Sequence, residues 1–431
     1  MKTTANHTCL RAVNRRKFLS STTAGIFSFS VGRAFSASSS RVSIEEAFDR
    51  EMYAFMGPRK TPGGALAVVK DRKLVYAKGY YWADRDKHEF VKPESLFRIA
   101  SISKPFTAVA ILQLVEKGKL NLEVPAFALL PKNLCQSGMN ASDERIAKIT
   151  VRHLLQHTGG WDRDKSYDPM FRCKTISEKL GIPSPPSAKD IICYMLGEPL
   201  DFDPGTRYAY SNFGYDVLGR IIEKVSGQSY EDYVRQHVLA PVGIRRMRIG
   251  QSRQSIAGEV KYYTPDDSTT RSVFDNSTVP WPYGGFHLEA MDAHGAWIAS
   301  AVDLARFAAA LDDAASSPLL RSSSFQTMYA RPEPPVARDN EGNPMPTYYA
   351  CGWNVRPVGR AGKANYWHNG SLPGTSTLLV RRWDGLSWAA LFNQRSEDKS
   401  LPDSAIDGAM HRAADSVAKW PDHNLFAEIK A

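Results

Sequence analysis

Three serines stand three residues ahead of a lysine: Ser101 before Lys104, Ser396 before Lys399 and Ser416 before Lys419. On a helix that spacing puts hydroxyl and amine on one face, within reach of each other. A serine hydroxyl attacks only when a neighbour takes its proton, and a lysine can do so near neutral pH only when partly desolvated. Ser396 lies in the charged segment 395–399 and Ser416 in the terminal helix, so both read as solvated faces. Ser101 follows the short, largely apolar segment 97–100 and opens an apolar stretch, where its amide is a helix-start donor suited to an oxyanion. Its bland alternative is a plain N-cap. Downstream, Tyr210-Ser211-Asn212 is the sole Tyr-x-Asn among 18 tyrosines and sits at a loop-to-helix junction. His368-Asn369-Gly370-Ser371 ends a predicted strand. Alone, a tyrosine there is ordinarily core and Asn-Gly ordinarily a hairpin turn. Together, in this order and these settings, the residues are hard to explain by those bland readings.

Other chemistries lack their signatures. There is no Gly-x-Ser-x-Gly elbow, no His-Glu-x-x-His and no phosphate- or dinucleotide-binding glycine pattern. His153 and His157 are four apart and could in principle share a metal, but no acid stands at a supportive spacing and Leu154 and Leu155 mark a core helix. No metal and no cofactor are expected.

The elements that must position these residues are legible as periodicity. Residues 43–56 have helical spacing with Ser43 as cap. Residues 64–70 and 73–79, joined by Asp71-Arg72, read as a β-hairpin. Residues 101–116 read as a helix with Pro105 tolerated in its first turns. Helices follow over 151–157, 188–196, 212–225, 230–238, 302–311 and 322–328. Strands return over 348–355, 365–368, 375–381 and 386–393, and a helix over 403–419 closes the pattern. Strands at both ends with helices between imply one sheet interrupted by a helical insertion. Residues 161–187 and the five-proline segment 331–347 read as long loops, either rims of a functional site or disordered segments.

Four segments carry a family likeness: Phe97-Arg-Ile-Ala-Ser101-Ile-Ser-Lys104-Pro-Phe-Thr, Thr150-Val-Arg-His-Leu-Leu-Gln-His-Thr-Gly-Gly160, Phe202-Asp-Pro-Gly-Thr-Arg-Tyr-Ala-Tyr210-Ser-Asn212-Phe-Gly-Tyr and Asp303-Leu-Ala-Arg-Phe307. Across residues 43–420 the chain resembles the serine β-lactamase and penicillin-binding protein superfamily, on its class C and DD-carboxypeptidase-like branch. The resemblance implies an α/β sandwich, an antiparallel sheet flanked by helices over about 41–105 and 300–431, with an all-helical subdomain over about 106–299 inserted in it. It further implies an acyl-enzyme on Ser101, with Lys104 relaying the proton and Asn212 orienting Lys104 and the substrate amide. Tyr210 would be the shared base, its phenol lowered from about 10 by the nearby ammonium. Backbone N–H groups of Ser101 and Ser371 would form the oxyanion hole. His368-Asn369-Gly370 stands where many relatives have Lys-Thr-Gly or Lys-Ser-Gly, so His368 would bring a pH-dependent charge for a substrate carboxylate. The implied partners are small molecules or peptides, such as cell-wall D-alanyl peptides or β-lactams. An esterase or D-aminopeptidase on the same fold is the near alternative, and a non-catalytic ligand binder the distant one.

Composition agrees with a globular enzyme. The 431 residues are 43% hydrophobic and 23% charged, with 19 Phe, 18 Tyr and 9 Trp, and no run of 18 apolar residues marks a spanning helix. Six of the ten net positive charges lie in residues 1–36, which carry no acid, so the remainder is too weakly basic for a nucleic-acid binder. Asn14-Arg15-Arg16-Lys17-Phe18-Leu19 before a modestly apolar stretch, with Ala34-Phe35-Ser36 after it, resembles a twin-arginine export signal. That places the mature protein in the periplasm or outside the cell. Cys135, Cys173, Cys193 and Cys351 remain after its removal; isolated buried thiols are expected, with a Cys173–Cys193 bridge as the alternative.

Overall fold

Ser43 caps the first helix as its position predicts: its hydroxyl accepts from the Glu46 amide at 3.1 Å. Helix α1 then runs Ile44–Arg59 and ends where Lys60 turns left-handed at φ 51°. The computed structural model describes residues 42–135, 141–359 and 362–429, so the export-signal residues 1–36 lie outside them. Strands β1 (Gly63–Lys70) and β2 (Lys73–Asp84) form the hairpin. Asp71 and Arg72 between them both take positive φ, 49° and 66°, as a two-residue hairpin turn requires. β3 (Glu89–Phe90) and β4 (Phe97–Arg98) lead to a 3₁₀ turn, Ala100–Ile102, and then α2 (Ser103–Glu116). Helices α3 (Val151–Leu155), α4 (Cys173–Leu180), α5 (Ala188–Leu196), α6 (Asn212–Ser226) and α7 (Tyr230–Val234) follow. Short strands β5 (Arg248–Ile249), β6 (Thr269–Arg271), β7 (Thr278–Pro280) and β8 (Trp297–Ala299) precede α8 (Ala301–Ala310) and α9 (Ser322–Tyr329). The last segment holds β9 (Tyr348–Tyr349), β10 (Asn354–Pro357), β11 (Ala364–Leu372), β12 (Thr375–Arg381), β13 (Leu386–Phe392) and α10 (Ala405–Ser416).

Among the described residues, eight strands form one antiparallel sheet in the order β3-β2-β1-β13-β12-β11-β10-β9. Its centre joins both ends of the fold, with Leu66 of β1 opposite Ala390 of β13. Strand side chains alternate between faces. Leu66, Val68, Val380, Trp388 and Phe392 therefore pack on one side with Phe48 and Met52 of α1 and Met410 and Ala413 of α10. Ala65, Ala67, Val69, Leu379, Ala389 and Leu391 face the other side, into a core shared with α2 and α8. With both faces covered, the central strands read as continuous apolar runs. This is the β-lactamase/transpeptidase arrangement that the resemblance implies.

The departures have local causes. The inserted span is mostly helical but not all-helical: β5 and β8 join β4, which precedes the span, in a small sheet, and β6 and β7 form a hairpin, each strand two or three residues long and too short to show a period of two. The strand expected over 348–355 is split, because Ala350 N–H donates to Trp353 O and Gly352 turns left-handed at φ 80° against α2. The stretch 161–187 contains α4, and the helix expected over 230–238 passes into a π turn at 235–239. The cysteines are neither four isolated thiols nor a Cys173–Cys193 pair. Cys135 is bonded to Cys193 of α5, while Cys173 and Cys351 are free and buried. Sequence spacing could not choose this pairing, since folding brings α5 to a loop 58 residues upstream.

Candidate active site

Ser101 sits half-buried in the 3₁₀ turn that precedes α2. It is not a cap: α2 begins at Ser103, its N-cap position is Ile102, and no side chain caps it. The residue before the serine, Ala100, is left-handed at φ 48°, a conformation that is costly for any residue with a Cβ. Several contacts hold it there. Ile99 N–H donates to Trp297 O at 2.9 Å, and the Thr377 hydroxyl donates to Ile99 O at 3.0 Å. Thr375 does the same for Arg98 O at 3.0 Å, and the Ser103 hydroxyl donates to Ala100 O at 2.7 Å. Gly370 packs directly on this turn, where a Cβ would overlap Ile99 O and Thr377 Oγ1 and come within 3.0 Å of the Ala100 Cβ. Asn369-Gly370 is thus no hairpin turn; it lies inside β11, opposite Leu378 and Thr377 of β12.

One helical turn on from Ser101, Lys104 is fully buried. Its Nζ donates to Ser101 Oγ at 3.0 Å, Asn212 Oδ1 at 2.8 Å and His294 O at 3.0 Å. Burial holds its pKa well below the usual lysine value; Asp168 pulls it back up and Arg163 pushes it further down. Three donations are those of an ammonium; as the neutral amine that burial favours, Nζ keeps two N–H bonds, enough for Asn212 Oδ1 and His294 O, and turns its lone pair to the serine proton.

Tyr210 and Asn212 come from the start of α6, whose Ser211 N-cap hydroxyl accepts from Gly214 N–H. The phenol ring of Tyr210 faces Lys104, with Nζ 4.8 Å from the ring centroid. Burial raises the Tyr210 pKa, and a hydrogen bond with Ser101 offsets this only in part. The expected lowering by an ammonium is absent because Lys104 is itself driven toward the neutral amine. Asn212 stands as the motif implies, and its other end reveals a residue the sequence reading missed. Asn212 Nδ2 donates to Asp168 Oδ2 at 2.6 Å, and Met170 N–H donates to Asp168 Oδ1 at 3.2 Å. Both carboxylate oxygens accept, so the bonding fits the ionised form, although burial raises the Asp168 pKa. Asp168-Pro169, an N-cap followed by proline, was its only local signal.

His368 is where β11 should place it, but not in the expected state. It is buried, its Nδ1 lies 2.7 Å from Asn369 O, and its Nε2 accepts from the Tyr349 hydroxyl at 3.0 Å. Burial, reinforced by Lys104, lowers its pKa to about 3. A neutral ring with both nitrogens engaged cannot supply the imidazolium expected for a substrate carboxylate. Asn369 and Ser371 alternate to the exposed face of the strand.

His157, read as a core residue or remote metal ligand, belongs to this wall. Its ring lies 4.3 Å from both Tyr210 and Tyr349, centroid to centroid, and its Nδ1 accepts from Ser211 N–H at 3.2 Å. Burial, then Lys104, then His368 keep it well below the usual histidine value. His153 is spent elsewhere: its Nδ1 accepts from Thr150 N–H in the cap of α3. Ser396 bonds within its own loop, accepting from Asp398 N–H and donating to Asp398 O. Ser416 donates to Ala413 O on α10, so neither serine competes with Ser101.

The chain matches the family model described as Beta-lactamase over residues 48–409. It is 28% identical over 366 residues to penicillin-binding protein 4* of Bacillus subtilis (strain 168), covering 84% of this chain and 74% of that protein. Among solved structures it resembles a D-stereospecific amidohydrolase from Streptomyces sp., with a TM-score of 0.63, 24% identity and coverage of 81% of this chain and 94% of that one. It also resembles EstCE1, described as a hydrolase with promiscuous acyltransferase activity, with a TM-score of 0.66, 17% identity and coverage of 87% and 98%.

Proposed function

The chain belongs to the beta-lactamase family of serine hydrolases, and on that premise we propose that it cleaves amide or ester substrates through an acyl-enzyme on Ser101. The observation that carries this is the 3.0 Å contact between Ser101 Oγ and a buried lysine held toward its neutral form. Lys104 takes the hydroxyl proton as Oγ bonds to the substrate carbonyl carbon, and in this reading the amides of Ser101 and Ser371 receive the oxyanion. Collapse breaks the bond to the leaving group. The proton returns from Lys104 through the Tyr210 hydroxyl to the leaving atom, so Tyr210 serves as a protonated relay rather than a resting phenolate. Water then enters, gives a proton back along the same path, and releases the acid and free Ser101.

The substrate reading is amide or ester, with D-alanyl peptides and β-lactams inside that range. The amidohydrolase and the esterase-like hydrolase among its structural neighbours support this breadth, since one fold hosts many acyl donors. Export through the Arg15-Arg16 signal is part of the proposal, and the Cys135–Cys193 bridge supports an oxidising compartment. Intact mass spectrometry after exposure to a penicillin, and separately to a short-chain ester, tests the acyl-enzyme. The mass of the acyl group should appear on the wild type and not on Ser101→Ala. A fluorophosphonate that labels another serine, or undiminished turnover in Ser101→Ala, overturns the mechanism.

A further inference from the structure

Two acceptors fix the direction in which the Lys104 lone pair points, and they are secured differently. Asn212 Oδ1 is set by Asp168, which accepts from the other end of the same amide. His294 O belongs to a turn before β8, closed by Gly295 N–H donating to Met291 O at 2.7 Å. That turn presents two successive carbonyls to α2: Thr107 Oγ1 donates to Ala293 O at 2.6 Å and Lys104 Nζ to His294 O at 3.0 Å. On its other side lies α6. A Cβ on Gly219 would come within 2.7 Å of the Ala293 Cβ. Beside it Arg220, whose side chain is only 7% exposed, donates from Nη2 to Asp292 Oδ2, while Asp292 Oδ1 accepts from Ala293 N–H at 2.6 Å. One carboxylate thus ties α6 to the peptide that leads into Ala293 and His294. The other acids near Arg220, Glu223 at 2.9 Å and Asp216 at 3.9 Å, stand on its own helix, so the Asp292 bond is the one that crosses between elements.

A buried ion pair loses hydration on both sides and adds little net stability, so apolar side chains would fill this space as well. What the charges add is a fixed position, one peptide from the acceptor of Lys104. Arg220 itself lies eight residues along α6 from Asn212, about 12 Å of helix, and is too far and too buried to meet a substrate. We infer that Arg220 and Asp292 are positioning residues that clamp the 292–294 turn to α6, so that His294 O occupies one N–H of Lys104 and the lone pair stays aimed at Ser101. This rests on the acyl-enzyme reading above. With the clamp broken, His294 O withdraws and the freed N–H turns to Ser101 Oγ, which then accepts a proton bond instead of giving up its own proton.

Two variants break the same link from opposite sides. Asp292→Asn keeps the size, but one amide oxygen cannot accept from both Arg220 and Ala293 N–H. Arg220→Met removes the cation and fills its space. In each, kcat on a small chromogenic ester should fall at least tenfold with KM within twofold of wild type. Arg220→Lys should recover part of the loss. The pH profile separates position from charge. A carbonyl accepts more strongly from an ammonium than from an amine, so its withdrawal lowers the Lys104 pKa, and the acid limb of kcat/KM should move to lower pH in both variants. Asp168 and Arg163, the charges that bear on Lys104, are untouched, and the imidazoles of His157, His294 and His368 are held far toward neutral. A field effect would instead move the limb up in Arg220→Met and down in Asp292→Asn. Opposite shifts, an unmoved limb, or kcat within twofold of wild type in both variants overturns the inference, as does failure of both to fold, which would make the pair a support of the fold alone. Ser101→Ala is run alongside: turnover surviving there overturns the acyl-enzyme reading, whereas Ser101-dependent turnover indifferent to both variants overturns the clamp alone.

Discussion

Asp168→Asn tests whether a carboxylate outside every recognised motif sets the base. The side chain keeps its size, and its Oδ1 can still accept from Met170 N–H, so the turn at 169–171 should persist. What is lost is the charge and the one-way lock on Asn212. A carboxylate can only accept, which forces Asn212 to offer Nδ2 to Asp168 and Oδ1 to Lys104. An asparagine at 168 can present either end, and the amide at 212 is free to flip. A hydrogen bond to a charged group contributes about 1.5–3 kcal/mol, which at about 1.36 kcal/mol per decade is roughly 10- to 150-fold in kcat/KM if it is expressed fully in the transition state. A second signature separates this from a merely structural defect. Asp168 raises the Lys104 pKa, so removing its charge lets that pKa fall further. Lys104 acts as the neutral amine, and the acid limb of kcat/KM should therefore move to lower pH while kcat drops, because a weaker base is available over a wider range. The assay is a pH–rate profile on a chromogenic ester for wild type and variant. A kcat/KM within twofold of wild type with an unmoved acid limb refutes the reasoning.

Three further outcomes follow from the geometry. Gly370→Ala should cost more than tenfold in kcat with little change in KM for a small ester, because the new Cβ displaces the turn bearing Ser101; equal kcat in both proteins would show that the close approach is not needed. KM for a carboxylate-bearing substrate should stay flat from pH 5.5 to 8 as far as His368 is concerned, since a group with a pKa near 3 is neutral throughout that range; a rise in KM with pH that disappears in His368→Phe would restore the imidazolium role. Lys104→Met should abolish turnover and flatten stability against pH. The folded-state pKa of Lys104 is lowered, so the unfolded chain binds the extra proton, and wild-type stability rises with pH from that folded value toward about 10.5, where the unfolded lysine also loses it. The gain in Tm between pH 7 and 9 should be smaller in the variant than in the wild type, and equal gains would place the lysine in water.

The parts of this site that sequence conveys are those encoded in adjacent residues. Ser101 and Lys104 are one helical turn apart, Tyr210 and Asn212 flank a cap, and β12 and α5 occupy the spans expected of them. Protonation states were not legible, because they are set by what folding places nearby. The charge imagined for His368 required solvent, and the structure supplies Tyr349 and the Asn369 carbonyl in its place. The lowered phenol imagined for Tyr210 required an ammonium that desolvation disfavours. Asp168 and Arg163 lie in a polar stretch that reads from sequence as a functional rim or a disordered segment, without a motif of its own. His294 contributes a backbone carbonyl, which leaves no trace in residue type.

The support of the nucleophile is assembled from segments made at very different times. Arg98, Ile99 and Ala100 are held by Thr375, Thr377 and Gly370, and β1 lies against β13. At about 5–20 residues per second, the roughly 290 residues between Ser101 and the end of β13 take about 15–60 s to synthesise. For that interval the serine is outside the ribosome with no strand to force Ala100 into its left-handed turn. A nascent or truncated chain ending before β11 therefore carries the Ser-x-x-Lys pair without the strained turn that aims it. On the acyl-enzyme reading, competence for catalysis requires the far end of the fold to dock, which confines acylation to finished molecules.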